Sequence, residues 1–298
     1  MKSNMIMKKS RYTLLFIATL LTLSDATSQS YADLHELKGF SMKAYYSPGN
    51  AERAKIIVAR CDRAIKYVNG LVGFTPNVSL FILNSEHWKK YATFPLYGMP
   101  HYTGDKRLVI ASEDNDFWKS FIPPLDQLPP DLATKIKNAY TTADGSMSMM
   151  AFFDLLALHE LGHGFHQQGG LTMQRLWMQE LFPNIMLHTY IAENESANLP
   201  ALEAFPEMVV AAGTTGYEYT TLADFEKRYD NMDPKNYGWY QCRLHVAGKN
   251  IYDAGGEKNL VKLWKGLKEN KEKMSDEEFA TFLNKKVNPE VAKVQTGW

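Results

Sequence analysis

His159-Glu160-Leu161-Gly162-His163 is the stretch of this 298-residue chain whose residue types and spacing best suit chemistry. On a helix, residues four apart share a face, so His159 and His163 project the same way about one turn apart. Two imidazoles so placed can hold one zinc ion through ring nitrogens. Glu160, one step after the first histidine, can reach a water activated at that ion without binding the ion itself, as a general base must. The preceding run, 147–158, is largely apolar and has neither Gly nor Pro, which predicts a buried helix. The competing reading is a core helix with two hydrogen-bonded histidines; the motif is specific enough to prefer the metal.

A catalytic zinc takes three protein ligands and leaves a fourth position open. The metzincin pattern would put a third His six residues past the second, but Gly169 stands there. His166 lies close to the same helix face. Three ligands within two turns of one helix make a poor tetrahedron, so His166 is better suited to orienting a ligand or meeting substrate. A glutamate from a separate helix is the remaining choice, and Glu180 follows at a suitable distance; Glu193, Glu195, Glu203 and Glu207 fit no motif and read as solvated charges.

Trp177-Met178-Gln179-Glu180 resembles the W-x-x-E element that follows H-E-x-x-H in gluzincin metallopeptidases, the group of thermolysin and the aminopeptidase N-type enzymes. The resemblance implies His159, His163 and Glu180 as ligands of one zinc ion, with Glu160 as general base. Asn184, one turn on, stands where thermolysin-like members often carry an acid that orients a zinc-bound imidazole; an amide oxygen can accept the same N–H bond. Leu181-Phe182-Pro183 departs from the small residues usual there, and Pro183 predicts a kink. Aminopeptidase N-type relatives place a tyrosine about four turns before a Gly-rich break, donating to the oxyanion. Counting back from Gly255-Gly256 gives Tyr240 that role, with Tyr237 as the alternative. Arg243, a turn later, reads as a surface residue rather than a substrate ligand. The family's strand at the cleft edge, which pairs with peptide, is expected at 108–111. No G-x-M-E-N-type amine-binding segment is present, which favours an endopeptidase or an unusual exopeptidase.

The rest of the chain fits a globular enzyme. It is 45% hydrophobic and 22% charged, with 33 basic and 33 acidic side chains and no basic stripe, so nucleic acid is not an expected partner. Lys2, Lys8, Lys9 and Arg11 precede an uncharged run, 12–23, in the layout of a signal peptide ending at residue 28. Its removal leaves 29 basic against 32 acidic groups. The expected protein is secreted or periplasmic, with no membrane span after cleavage. Cys61 and Cys242 lack metal-site spacing; they can pair or stay free.

Periodicity predicts strands at 40–46, 78–83 and 107–111, and helices at 51–69, 85–91 and 131–140. After the motif, helices are expected at 201–211, 221–229, 237–252, 257–269 and 275–285, the last opened by a capping box at Ser275. The fold expected is α+β and zincin-like, with a mixed sheet-and-helix part over 29–145 and a helical part over 146–298, as two lobes meeting at the zinc. The function expected is peptide or protein hydrolysis. The alternatives are a zinc hydrolase of non-peptide substrate, or a non-catalytic protein binding zinc or a partner on the same scaffold.

Overall fold

Short apolar runs closed by turn residues build the first layer. The computed structural model describes residues 31–298, and the leader expected over 1–28 lies outside the described residues. Five strands form one sheet: β1 (His35–Leu37), β2 (Lys43–Tyr46), β3 (Ser79–Leu83), β4 (His101–Tyr102) and β5 (Arg107–Ala111), in the order β1-β2-β3-β5-β4. β2, β3 and β5 run parallel, while β1 and β4 pair antiparallel at the two edges. Parallel neighbours need a crossover, and α1 (Ala51–Val72) supplies it between β2 and β3. Its apolar stripe (Ala54, Ile57, Val58, Cys61, Ala64, Ile65, Val68) is buried. The helix runs three residues beyond the expected boundary at Asn69, to Val72, and Gly73 ends it in the left-handed conformation (φ 65°) with its N–H on the Asn69 carbonyl.

The expected cleft strand, 108–111, is covered over its first half. β5 is buried and pairs along its length with β3, while on its other side β4 covers it at two positions, with His101 opposite Val109 and Tyr102 opposite Leu108. The edge is β4, whose two residues are too few to show any periodicity.

After α2 (Ser85–Tyr91), α3 (Asp116–Lys119) and α4 (Pro130–Tyr140) come the helices that carry the site: α5 (Met150–Gln168) and α6 (Leu176–Asn194). α7 (Leu199–Ala211), α8 (Leu222–Arg228), α9 (Pro234–Asp253), α10 (Glu257–Glu269), α11 (Asp276–Phe282) and α12 (Pro289–Thr296) complete the helical part. The capping box at Ser275 is present, and Thr221 caps α8 the same way. Strands first and helices after make the architecture α+β, and Ala32–Trp298 forms one unit. No helix among the described residues is long and apolar enough to cross a membrane. Cys61 and Cys242 are both buried free thiols.

α6 is packed between α5 and α9. A Cβ on Gly162 of α5 would lie 2.7 Å from the Pro183 Cα, and one on Gly248 of α9 would lie 3.1 Å from the Asn184 carbonyl atoms. The helix therefore continues through Pro183 to Asn194 rather than ending there. The lost backbone bond costs about 3 kcal/mol in isolation, and burial on both faces offsets it. Glu195, just past the end of α6, is not a solvated charge: Arg60 and Arg63 of α1 reach it at 2.8 and 2.7 Å. Burial pushes its pKa up, but the bonds from Arg63 and Arg60 outweigh this and hold it below the ordinary glutamate value.

Gly162→Ala is expected to force α5 and α6 apart and cost about 1–3 kcal/mol in a urea melt. The depressed pKa of Glu195 contributes stability that is present above the ordinary glutamate range and lost as pH falls through the depressed value. Urea midpoints of wild type and Glu195→Gln should therefore converge on acidification below about pH 4.5 and stay apart at neutral pH.

Candidate functional site

The motif helix places its polar residues where its apolar run predicts, on a buried face. His159 and Glu160 are 5% and 8% exposed, and their imidazole and carboxylate, with the His163 imidazole, offer donor atoms within 4.8 Å of one another. This group could hold a metal ion. A second carboxylate closes on it from α6: Glu180 Oε2 lies 3.1 Å from His159 Nε2 and 3.7 Å from His163 Nε2, and the two Nε2 atoms are 3.2 Å apart.

The hydrogen bonds around these atoms have a defined direction, because a carboxylate only accepts. The Tyr229 hydroxyl donates to Glu180 Oε1, and Gln241 Nε2 donates to Glu180 Oε2 at 2.7 Å. With its amide nitrogen committed, Gln241 turns its oxygen to Asn184 Nδ2 at 3.3 Å. Asn184 is thereby left with Oδ1 facing His159 Nδ1 at 2.9 Å, where it accepts the ring N–H. Nδ1 is thus the protonated nitrogen, and Nε2 points to the shared centre. His166 stands behind His163, its Nε2 3.1 Å from His163 Nδ1. It orients that ring and is itself 3% exposed.

Burial raises the Glu160 pKa to about 7, against the pull of the His159 charge and of the Tyr102 backbone N–H on β4. Burial lowers His163 to about 4 and His166 to about 3, so both rings are neutral at pH 7. For His159 burial also pulls downward, but the hydrogen bond to Glu180 and the nearby acids raise the net value. Glu180 is held well below its ordinary value: burial opposes ionisation, and His163, His159 and Tyr229 together overcome it.

The two candidate tyrosines part company. Tyr237 and Gln241 are four apart on α9 and share a face; the Tyr237 oxygen accepts from Gln241 Nε2 at 2.7 Å, and its own proton has no acceptor among the described residues. Tyr240, on another face, donates to the Thr221 carbonyl at 2.7 Å and stacks on Trp298, away from the cleft. Arg243 also lies over Trp298 and Trp239. Glu193, Glu203 and Glu207 sit with Tyr252, His188 and Lys135, outside the site. Tyr229 and Gln241 went unpredicted: Tyr229 lies 49 residues from Glu180 with no local pattern, although the Tyr237/Gln241 spacing on one helix was a usable signal.

Two spaces meet at Glu160 and Tyr237. One is a cleft of mixed polar and apolar lining along His101 and Tyr102 of β4, past His163 and Glu180. The other is an apolar cavity running inward among phenylalanines. No family model matches this sequence, and no curated protein matches it significantly.

Groups that hold Glu180 in place are expected to govern metal affinity. Tyr229→Phe and Gln241→Leu should each weaken zinc binding by about 10–100-fold, read by competition with a chromophoric chelator.

Proposed function

We propose that this chain is a zinc-dependent peptidase of the gluzincin type, with His159, His163 and Glu180 holding the metal. The observation that carries the reading is the triangle of donor atoms with edges of 3.1, 3.2 and 3.7 Å. Ligands about 2.0–2.2 Å from a tetrahedral zinc stand about 3.3–3.5 Å apart, so the residues present fit the ion with little movement. Two imidazoles, each presenting Nε2, and one carboxylate are also a donor set typical of catalytic zinc. When bound, zinc supplies Lewis acidity, polarising a carbonyl and acidifying water.

The chain's own groups supply the rest. Glu160 is buried, and its raised pKa near 7 suits it to take a proton from the attacking water and return it to the leaving amine. Tyr237 keeps a free O–H beside Glu160 and is the donor for the developing oxyanion; Tyr240, engaged with Thr221, is not. Asn184 and His166 fix the imidazoles through their outer nitrogens. An extended peptide fits the cleft along β4, the edge that replaces the expected 108–111 segment.

The test is metal content and cleavage of a mixed peptide library by the full chain. Wild type should bind one zinc and cut. Glu160→Gln should keep zinc and lose about 10²–10⁴-fold in kcat, and Glu180→Gln should lose zinc. Tyr237→Phe should lower kcat by about 10²-fold, while Tyr240→Phe should not. A wild type that binds zinc and cuts no peptide would overturn the reading.

A further inference from the structure

The cavity inward of Glu160 has an unusual wall. Phe117, Phe121, Phe152, Phe153 and Phe205 line it. Their rings touch edge to face or tilted, at 5.4 Å for Phe121–Phe153, 5.5 Å for Phe152–Phe205 and 5.7 Å for Phe121–Phe205. The cavity holds about 100 Å³, the scale on which an apolar protein cavity accepts one benzene ring (about 150 Å³). No lysine or arginine lines it. An acidic side chain would enter with no counter-charge and would meet the Glu160 carboxyl.

His159, Glu160, Tyr237 and Gln241 line the cavity at its junction with the site, and one further polar group stands against the phenyl wall. His245 of α9 lines the cavity, is 8% exposed, and sits 5.7 Å from the Phe152 ring and 6.1 Å from the His159 ring. Neither of its ring nitrogens makes a hydrogen bond among the described residues, and neither is fully enclosed, so the imidazole is open to a partner arriving in the space it lines. A buried polar group left unpaired carries a desolvation cost that an incoming partner relieves. The ligand that satisfies both features is an aromatic ring with a hydroxyl at its far end. Phenylalanine would fill the space and leave the imidazole unpaired; an aliphatic side chain would do neither well.

Resting on the peptidase reading above, we propose that this cavity recognises a tyrosyl side chain next to the bond that is cut, with the phenol hydrogen-bonded to His245. Glu160 and Tyr237 line the cavity as well as the cleft, so a side chain seated here belongs to a residue beside the reacting carbonyl.

The experiment uses the metal-loaded full chain and matched peptides that differ only in Tyr, Phe, Leu or Lys beside the cleaved bond. Tyr should exceed Phe in kcat/KM by about three- to tenfold, the range of one hydrogen bond. In His245→Leu the Tyr/Phe ratio should fall to about one. Equal rates for Tyr and Phe in wild type, or a Tyr preference surviving in His245→Leu, would overturn the proposal. A second measurement needs neither catalysis nor a variant: p-cresol and toluene titrated into the full chain, read by the His245 imidazole resonances. Tighter binding of p-cresol supports the pocket's phenol specificity even where no peptide is cut, in which case the peptidase reading alone has failed. Binding no tighter than toluene sinks the proposal whatever the peptides do.

Discussion

A carboxylate with two oxygens and no protons, 1% exposed in the second turn of α6, sets the terms for everything around it. Glu180 can be buried only where neighbours bring hydrogens or positive charge to both oxygens. Tyr229 comes from the end of α8, Gln241 from α9, and His159 from α5. Each commitment settles the next. Gln241 spends its amide protons on Glu180 and Tyr237, Asn184 must then give its own to Gln241, and His159 finds an acceptor waiting at Nδ1. The orientation of an imidazole on one helix thus follows from a carboxylate on another, through two amides that have only one way to face. Such a chain holds only if the helix axes are close, and Gly162 and Gly248 are where the backbones come within reach. The sheet braces the other side, with β4 and β5 against α5.

Much of this was legible in the chain. The His159/Glu160/His163 face follows from helical spacing alone, and the residues at 79–83, 85–91 and 107–111 fall into elements nearly as their periodicity and caps require. Asn184, one turn past Glu180, was readable as an acceptor because both lie on one helix. What escaped was whatever depends on pairing between distant segments. The place of 107–111 inside the sheet is decided by β4, two residues with no pattern of their own. A count along the chain to Gly255-Gly256 points to Tyr240, but it does not say which face of α9 each tyrosine takes: Tyr237 lies beside Gln241, and Tyr240 lies against Trp298. Pro183 reads locally as a disturbance, and the packing partners of α6 are what let the helix run on through it to Asn194. Tyr229 and His245 have no signature at all until the helices are assembled.

The site joins two different environments at Glu160. Toward β4 the cleft carries polar and ionisable groups; inward it is ringed by phenyl groups, and burial raises the carboxyl's pKa. A single side chain at such a boundary can exchange a proton near neutral pH, which the same residue in bulk water could not do.

The two cysteines, finally, make the fold self-reporting. Cys61 is buried in α1 under the sheet, its thiol pushed up to about 12 by burial, and Cys242 is buried in α9 beside the phenyl-lined cavity, its thiol raised by the same cause. Thiols so placed are inert until their surroundings open. They sit in the two halves of the architecture, one against strands and one among helices. The order in which they become open to alkylation in rising denaturant would therefore show which layer loosens first, with no label added to the protein.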